Sequence, residues 1–157
     1  MLLRAHGIEI ELPAGWDGRI YKRPSGDPTL HAASFALPRD DGDFGSGATA
    51  RMPHGGTFFA LREYRPGDGL VPGAGLFASR QLPLPLDTRR FHPRALQVGR
   101  RGQAGFQHFL TWGERPFCLY AVVKPDVRAA VVASGAGHQV ERLNRILSTV
   151  VLQTKSQ

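Results

Sequence analysis

Between Arg89 and Gly102 the chain reads RRFHPRALQVGRRG, five arginines and a histidine in fourteen residues with no acid among them. Guanidinium groups at this density suit the neutralisation of a phosphate backbone, and Phe91 and His92 add rings on which bases could stack. Pro93 excludes a continuous recognition helix here. In a strand, Arg90, His92 and Arg94 would project together, but Leu96 and Val98 share their parity, so the strand must break near Ala95. No RNP, KH or helix-turn-helix pattern accompanies the stretch. Cations on an edge strand also prevent unwanted edge-to-edge pairing, and that is the expectation adopted for this segment. Arg89, Arg90, His92, Arg94, Arg100 and Arg101 remain the candidate contacts for an anionic partner, whether protein or nucleic acid.

Other chemistry finds less material. The six histidines stand at 6, 31, 54, 92, 108 and 138, too dispersed for an HxH or HxxxH metal pair. The one cysteine, Cys118, cannot form a thiolate cluster, so neither metal nor cofactor is expected. The aspartates of RDDGDFGSG only superficially resemble a calcium loop, because Arg51 stands near the place of the closing glutamate. A solvated turn is expected there. PHGG, Pro53 to Gly56, resembles an oxyanion-hole turn but lacks the GxSxG elbow that gives it meaning. Cys118 lies between Phe117 and Leu119 and reads as a small buried hydrophobe. GDGLVPGAG lacks the GK[ST] of a phosphate loop. Glu9 and Glu11 share one strand face, which alternation explains as the solvent side. His108, Trp112 and Tyr120 are candidates to line a pocket beside the long connection, and an enzyme would have to assemble scattered groups such as His54, His108 and Tyr120.

The elements that would carry these residues are partly legible. Ile8, Ile10 and Leu12 alternate with Glu9 and Glu11, a half-buried strand ended by Pro13 and Gly15. GRIYKR resumes an extended pattern, and TLHAASFALP predicts a third strand closed by Pro38. SGATARMP predicts a helical turn. TFFALREY, Thr57 to Tyr64, is apolar on both faces and predicts a central strand. AGFQHFLTW and RPFCLYAVV, separated by Gly113–Glu114, predict a hairpin. DVRAAVVAS predicts a short helix capped by Asp126 and stopped at Gly135. HQVERLNRILSTVVL carries Val140, Leu143, Leu147 and Val150 on one helical stripe, with Val150–Leu152 readable as a short strand instead.

Residues 65–102 form a long basic connection with 11 Pro or Gly in 38 positions. A loop of that length without structure is unexpected inside a compact domain. GLFASR is therefore read as a helical turn, and LPLPL and RRFHPRAL as edge strands. The 157 residues fit a single domain, 1–157. Net charge is +7, yet residues 80–101 alone carry six basic groups against one acid. Arginine outnumbers lysine 17 to three alongside abundant Ala, Gly and Pro, a bias that a GC-rich genome produces. A lone cysteine and the absence of a long apolar stretch give the expectation of a cytoplasmic protein with no membrane span.

IEIELPAGW, the small-residue strand, the late aromatic hairpin and the terminal RLNRILSTVVL together resemble the PsbP-like superfamily, which includes a Ran-GTPase release factor and bacterial members. The resemblance implies an α+β fold, an α/β/α sandwich around a mostly antiparallel sheet of about six strands. It also implies an accessory or protein-binding module, chaperone-like in some members. With no catalytic motif, the expected function is a non-enzymatic interaction module that binds a protein through a sheet edge and the long connection. Nucleic-acid or other polyanion binding through 89–101, and an enzyme of scattered residues, stand as alternatives.

Overall fold

His6 and Gly7 both adopt positive φ, 51° and 75°. This is the combination that lets a two-residue turn match the twist of paired strands. It joins β1 (Leu2–Ala5) to β2 (Ile8–Glu11), so the first strand begins earlier than the Ile8 alternation indicated. Ile8 and Ile10 are fully buried, as their alternation with glutamate requires. The computed structural model describes residues 1–24, 26–126 and 132–154.

After the turn at Pro13–Trp16 the chain does not return to the same sheet. β3 (Asp17–Tyr21), β4 (Thr29–Ala33), β5 (Thr57–Glu63), β6 (Ala104–Trp112) and β7 (Arg115–Val123) form a second sheet in the order β3-β4-β5-β7-β6. Every neighbouring pair in it is antiparallel. β8 (Val151–Leu152) pairs with β2 and completes a three-stranded sheet β1-β2-β8. The fold is therefore a strand-rich sandwich of five and three strands rather than one sheet of about six. The cause is local: Leu12 is fully buried between the layers, and the turn behind it redirects the chain across the core.

The small sheet and helix α2 (Val132–Leu147) cover one face of the large sheet. Ile8, Ile10, Val140, Leu143 and Leu147 meet Phe59, Leu61, Phe106, Leu119 and Ala121 there. The other face carries Phe58, Ala60, Tyr120 and Val122 and is covered by Ala48 and Met52 from short helix α1 (Ser46–Ala50) and its flank. β5 and β7 are central, which explains the apolar residues on both faces of TFFALREY. The hairpin of β6 and β7 turns at Gly113, φ 60°. The helical turns at SGATA and GLF are present, the latter as a 3-10 turn over Gly75–Phe77.

Three expectations are overturned. LPLPL and RRFHPRAL contain no strand; their regular structure is two 3-10 turns, Thr88–Arg90 and Pro93–Ala95. Prolines remove the donors a ladder needs, and the intervening chain bridges β6 only at His92 and Gly105. TLHAASFALP stops being a strand at Ala33, not at Pro38. α2 runs through Gly135, which is therefore no stop; the helix expected after Asp126 falls largely on 127–131, outside the described residues. Val151–Leu152 realises the strand alternative at the C-terminal end. Among the described residues no helix is long and apolar enough to cross a membrane.

Candidate binding cleft

Strand register places Tyr21, Thr29 and Arg62 in one cross-strand row of the α1-covered face, and Arg19, His31 and Ala60 in the next. Two arginines and an imidazole thus stand on the face that carries Phe58 and Ala60. Burying such groups requires partners, and the 38–45 loop supplies them. Asp43 accepts from Arg62 Nε at 3.0 Å, and its backbone carbonyl accepts from His31 Nε2 at 2.8 Å. Asp41 accepts from the backbone amides of Gly47 at 2.7 Å and Ala48 at 2.9 Å, fastening the loop to the start of α1. Gly45 sits at φ 70° directly over Phe58, where a Cβ would collide with the ring. Only glycine lets the loop descend this far. The expected solvated turn is therefore a wall of a cleft.

That cleft, about 360 Å³, opens between the ends of β3, β4 and β5 and the loop. Tyr21, His31, Asp43, Arg62 and Tyr64 define it, with Arg23, Asp27 and Arg65 at its margin. Its charges are already matched. Arg62 pairs with Asp43, Arg23 lies 3.5 Å from Asp43 and 3.6 Å from Asp40, and Arg65 lies 3.7 Å from Asp27. Arg62 also stacks on the Tyr64 ring, 4.0 Å from its centroid, which holds the guanidinium flat.

His31 is 1% exposed. Its ring meets Tyr21 and Phe58 edge-on, with centroids 5.0 and 5.2 Å away. Burial holds its pKa below the ordinary 6.5, against the opposing pull of the Asp43 carbonyl. A carbonyl can only accept, so Nε2 carries the proton and Nδ1 presents a lone pair. Neither His31 Nδ1 nor the buried hydroxyl of Tyr21 has a hydrogen-bond partner among the described residues. Burial likewise pushes the Tyr21 phenol above its usual range, so it remains an O–H.

The arginines that sequence singled out do not converge. Arg89 forks onto Asp87 at 2.8 Å and holds that carboxyl near 2. Arg90 lies over Phe106, on the face packed against α2. His92 exchanges backbone hydrogen bonds with Gly105, and its Nδ1 accepts from the Arg94 amide at 3.1 Å. Arg94 and Arg101 are exposed. Arg100 donates to the Ser46 carbonyl at 3.0 Å, on the opposite face. The segment is a strap across edge strand β6, and the shared projection of Arg90, His92 and Arg94 does not exist because 3-10 turns replace the strand.

The scattered catalytic set is also separated. His108 and Tyr120 lie on opposite faces, since Gln107 is the residue that pairs with Tyr120. His108 contacts Ser79 Oγ at 3.2 Å, Tyr120 Oη accepts from the Gln97 amide at 2.9 Å, and Trp112 Nε1 donates to the Leu152 carbonyl. His54 is exposed on its turn. Cys118 is fully buried, its thiol pushed up to about 12 by desolvation. No group of three or more His, Cys, Asp or Glu among the described residues is placed to hold a metal ion.

Tyr21, His31, Asp43, Arg62 and Tyr64 were missed by reading along the sequence. Their one signal was parity: Phe58, Ala60, Arg62 and Tyr64 alternate on one face, and a cation in a core row asks what pairs with it. Comparison with protein-family models, curated proteins and solved structures finds no match for this chain.

Proposed function

We propose that this chain is a non-enzymatic interaction module that recognises a protein partner through the cleft on the α1-covered face. One observation carries the reading: a buried imidazole nitrogen and a buried phenol hydroxyl on residues that line one cleft, both without a hydrogen-bond partner among the described residues. Leaving a buried polar group unsatisfied costs about 1–3 kcal/mol, a cost that a bound group would remove. Binding is favoured over nucleophilic catalysis because His31 Nε2 is committed to a backbone carbonyl and, among the described residues, no hydroxyl or thiol hydrogen-bonds its Nδ1. The PsbP-like resemblance points the same way, towards accessory modules. Binding through the β6 edge or along the arginines has less support: the strap occupies the edge at Gly105, Ser79 at Thr111, and the guanidiniums part to two faces.

Gly42 lines the cleft, and a Cβ there would meet only Ser46 Oγ, at 3.6 Å. Gly42→Trp therefore introduces a large side chain at the cleft lining from a position where the Cβ itself has room. Immobilised native chain and the variant are exposed to the same lysate, and retained proteins are compared. A species held by the native chain and lost with Gly42→Trp is the expected result. Identical sets would refute the cleft as the recognition element.

A further inference from the structure

Helix α2 carries a second surface, on the opposite face of the large sheet from α1. His138, Arg142 and Arg145 are spaced i, i+4 and i+7 along it. At roughly 100° per residue, that spacing sets them within about 60° of one line down the helix. Val140, Leu143 and Leu147 take the buried side. Between the exposed line and the end of β2 runs an open groove of about 530 Å³, lined by all three residues and by Glu11 and Pro13. Thr149 ties its two walls together: its Oγ1 accepts from the Glu11 amide at 3.0 Å and donates to the Ile146 carbonyl at 2.7 Å. The cations here are not matched as those of the α1-covered cleft are. Neither His138 nor Arg142 has an ion pair or side-chain hydrogen bond among the described residues. Arg145 reaches Glu141 at 3.8 Å on its own helix, with both side chains exposed, a pair of little strength. Arg145 also suits the C-terminal end of the helix dipole, but Arg142 stands too far from that end to be explained by it. Glu11, the one acid in the lining, is met by the Met1 amino group at 3.4 Å.

We propose that this groove docks an acidic, extended segment of a partner protein, its carboxylates on Arg142 and Arg145 and an aliphatic side chain against Pro13. His138 to Arg145 covers roughly 10 Å of helix axis, the reach of three to four residues of extended chain. Pro13 is half-buried, and the stems of the two arginines add carbon beneath their charged heads. A protein segment is favoured over nucleic acid because no Phe, Tyr or Trp lines the groove for bases to stack on, and Glu11 would face the phosphates. The contacts are exposed pairs, so the docking is weak and sensitive to salt. This surface lies apart from the cleft of the preceding section and does not depend on it.

The probe is an end-blocked peptide of four glutamates around a central leucine, compared with its glutamine counterpart and with single-stranded pentathymidylate. Each is titrated at low salt and neutral pH into the full chain labelled on nitrogen, with the amide and arginine Nε resonances of α2 observed. The glutamate peptide is expected to move Arg142, Arg145 and Thr149 saturably. It should bind about fivefold more tightly than the glutamine peptide, the margin that two exposed ion pairs supply. Raising the salt should remove that margin. Arg142→Ala/Arg145→Ala should abolish it with Tm shifted by no more than about 2 °C, since alanine suits an exposed helix position. Arg142→Lys/Arg145→Lys should keep most of it, and Gly42→Trp, on the other face, all of it. Equal binding of the two peptides, or movement that survives in the alanine variant, would overturn the assignment. So would the absence of saturable movement with the glutamate peptide. Tighter binding of pentathymidylate at the same resonances would overturn the protein partner. None of these results bears on the α1-covered cleft, which the lysate comparison decides separately.

Discussion

Arg115→Met should be among the most damaging single changes available to this chain. The side chain is 3% exposed, that of Glu63 1%, and all five guanidinium N–H groups are used. Nε and Nη2 clamp Glu63 at 3.2 and 2.7 Å. Nη2 also reaches the His6 carbonyl at 3.0 Å, while Nη1 reaches the carbonyls of Gly7 at 3.1 Å and Gln153 at 2.7 Å. The residue thus ties the β1–β2 turn and the chain after β8 to the ends of β5 and β7. Removing one partner of a buried pair costs about 3–5 kcal/mol, because the survivor stays buried and charged. For a chain of this length that corresponds to roughly 6–20 °C in Tm. Arg115→Lys should recover little, since three ammonium donors cannot replace a planar fork of five. Glu63→Leu added to Arg115→Met should restore part of the loss, with a coupling of about 1.5 kcal/mol or more. Denaturant unfolding followed by circular dichroism measures the native chain, Arg115→Met, Arg115→Lys, Glu63→Leu and the double variant. A cost below about 1 kcal/mol for Arg115→Met, or independent effects of the two changes, would refute the claim that this pair joins the sheets.

Three further outcomes follow from the same packing. His31 and His108 are both held below the ordinary 6.5 by burial, so the unfolded chain binds protons that the folded chain refuses. Stability should be full above about pH 6.5 and fall as pH drops below it, and His31→Gln/His108→Gln should flatten that slope in Tm measured from pH 7.5 to 5. Protonating His31 is opposed by Arg23 and assisted by Asp41 and Asp43, so the loss is graded rather than abrupt. Cys118, its thiol near 12, should react with a disulfide reagent only when the chain opens, so labelling should accelerate with denaturant; rapid labelling of the native chain would contradict its burial. Gly45→Ala should cost about 2–4 kcal/mol through positive φ and collision with Phe58, whereas Gly15→Ala, with φ 86° and open space, should cost only about 1. Equal costs would mean that the 38–45 loop does not rest on that ring.

What the sequence made legible is what alternation encodes. β2, β5 and the β6–β7 hairpin each repeat with period two, and α2 carries a stripe whose buried members are Val140, Leu143 and Leu147. The partition into two sheets was hidden because it depends on Leu12 and the Pro13–Trp16 turn pointing the chain across the core, which no periodicity records. The cleft was hidden for a related reason. Its parts come from 21–31, 41–43 and 62–65, and its key contact is a backbone carbonyl, that of Asp43, which carries no side-chain signature. RDDGDFGSG looked solvated because each aspartate alone would be; together they are committed to Arg62, Arg23 and the amides of α1.

The arginine-rich strap shows the converse case, in which a strong compositional signal does not record where its side chains point. Charge density says nothing about direction, and direction here is set by anchors that are mostly not arginines. Asn144 on α2 clamps Leu86 through both its amide and its carbonyl, at 2.6 and 3.0 Å. His92 and Gly105 exchange hydrogen bonds at the β6 edge, and Gln97 is held by the Tyr120 hydroxyl on the far face. A chain passing from α2 around an edge strand to α1 must turn its side chains through both faces. The prolines make this route available: they forbid a ladder along β6, so the segment crosses the edge instead of extending it. The strap occupies the β6 edge at Gly105, where a further strand would otherwise pair. The direction of each cation is thus set by the anchors of the strap, and Arg90 and Arg100 end on opposite faces of the sheet.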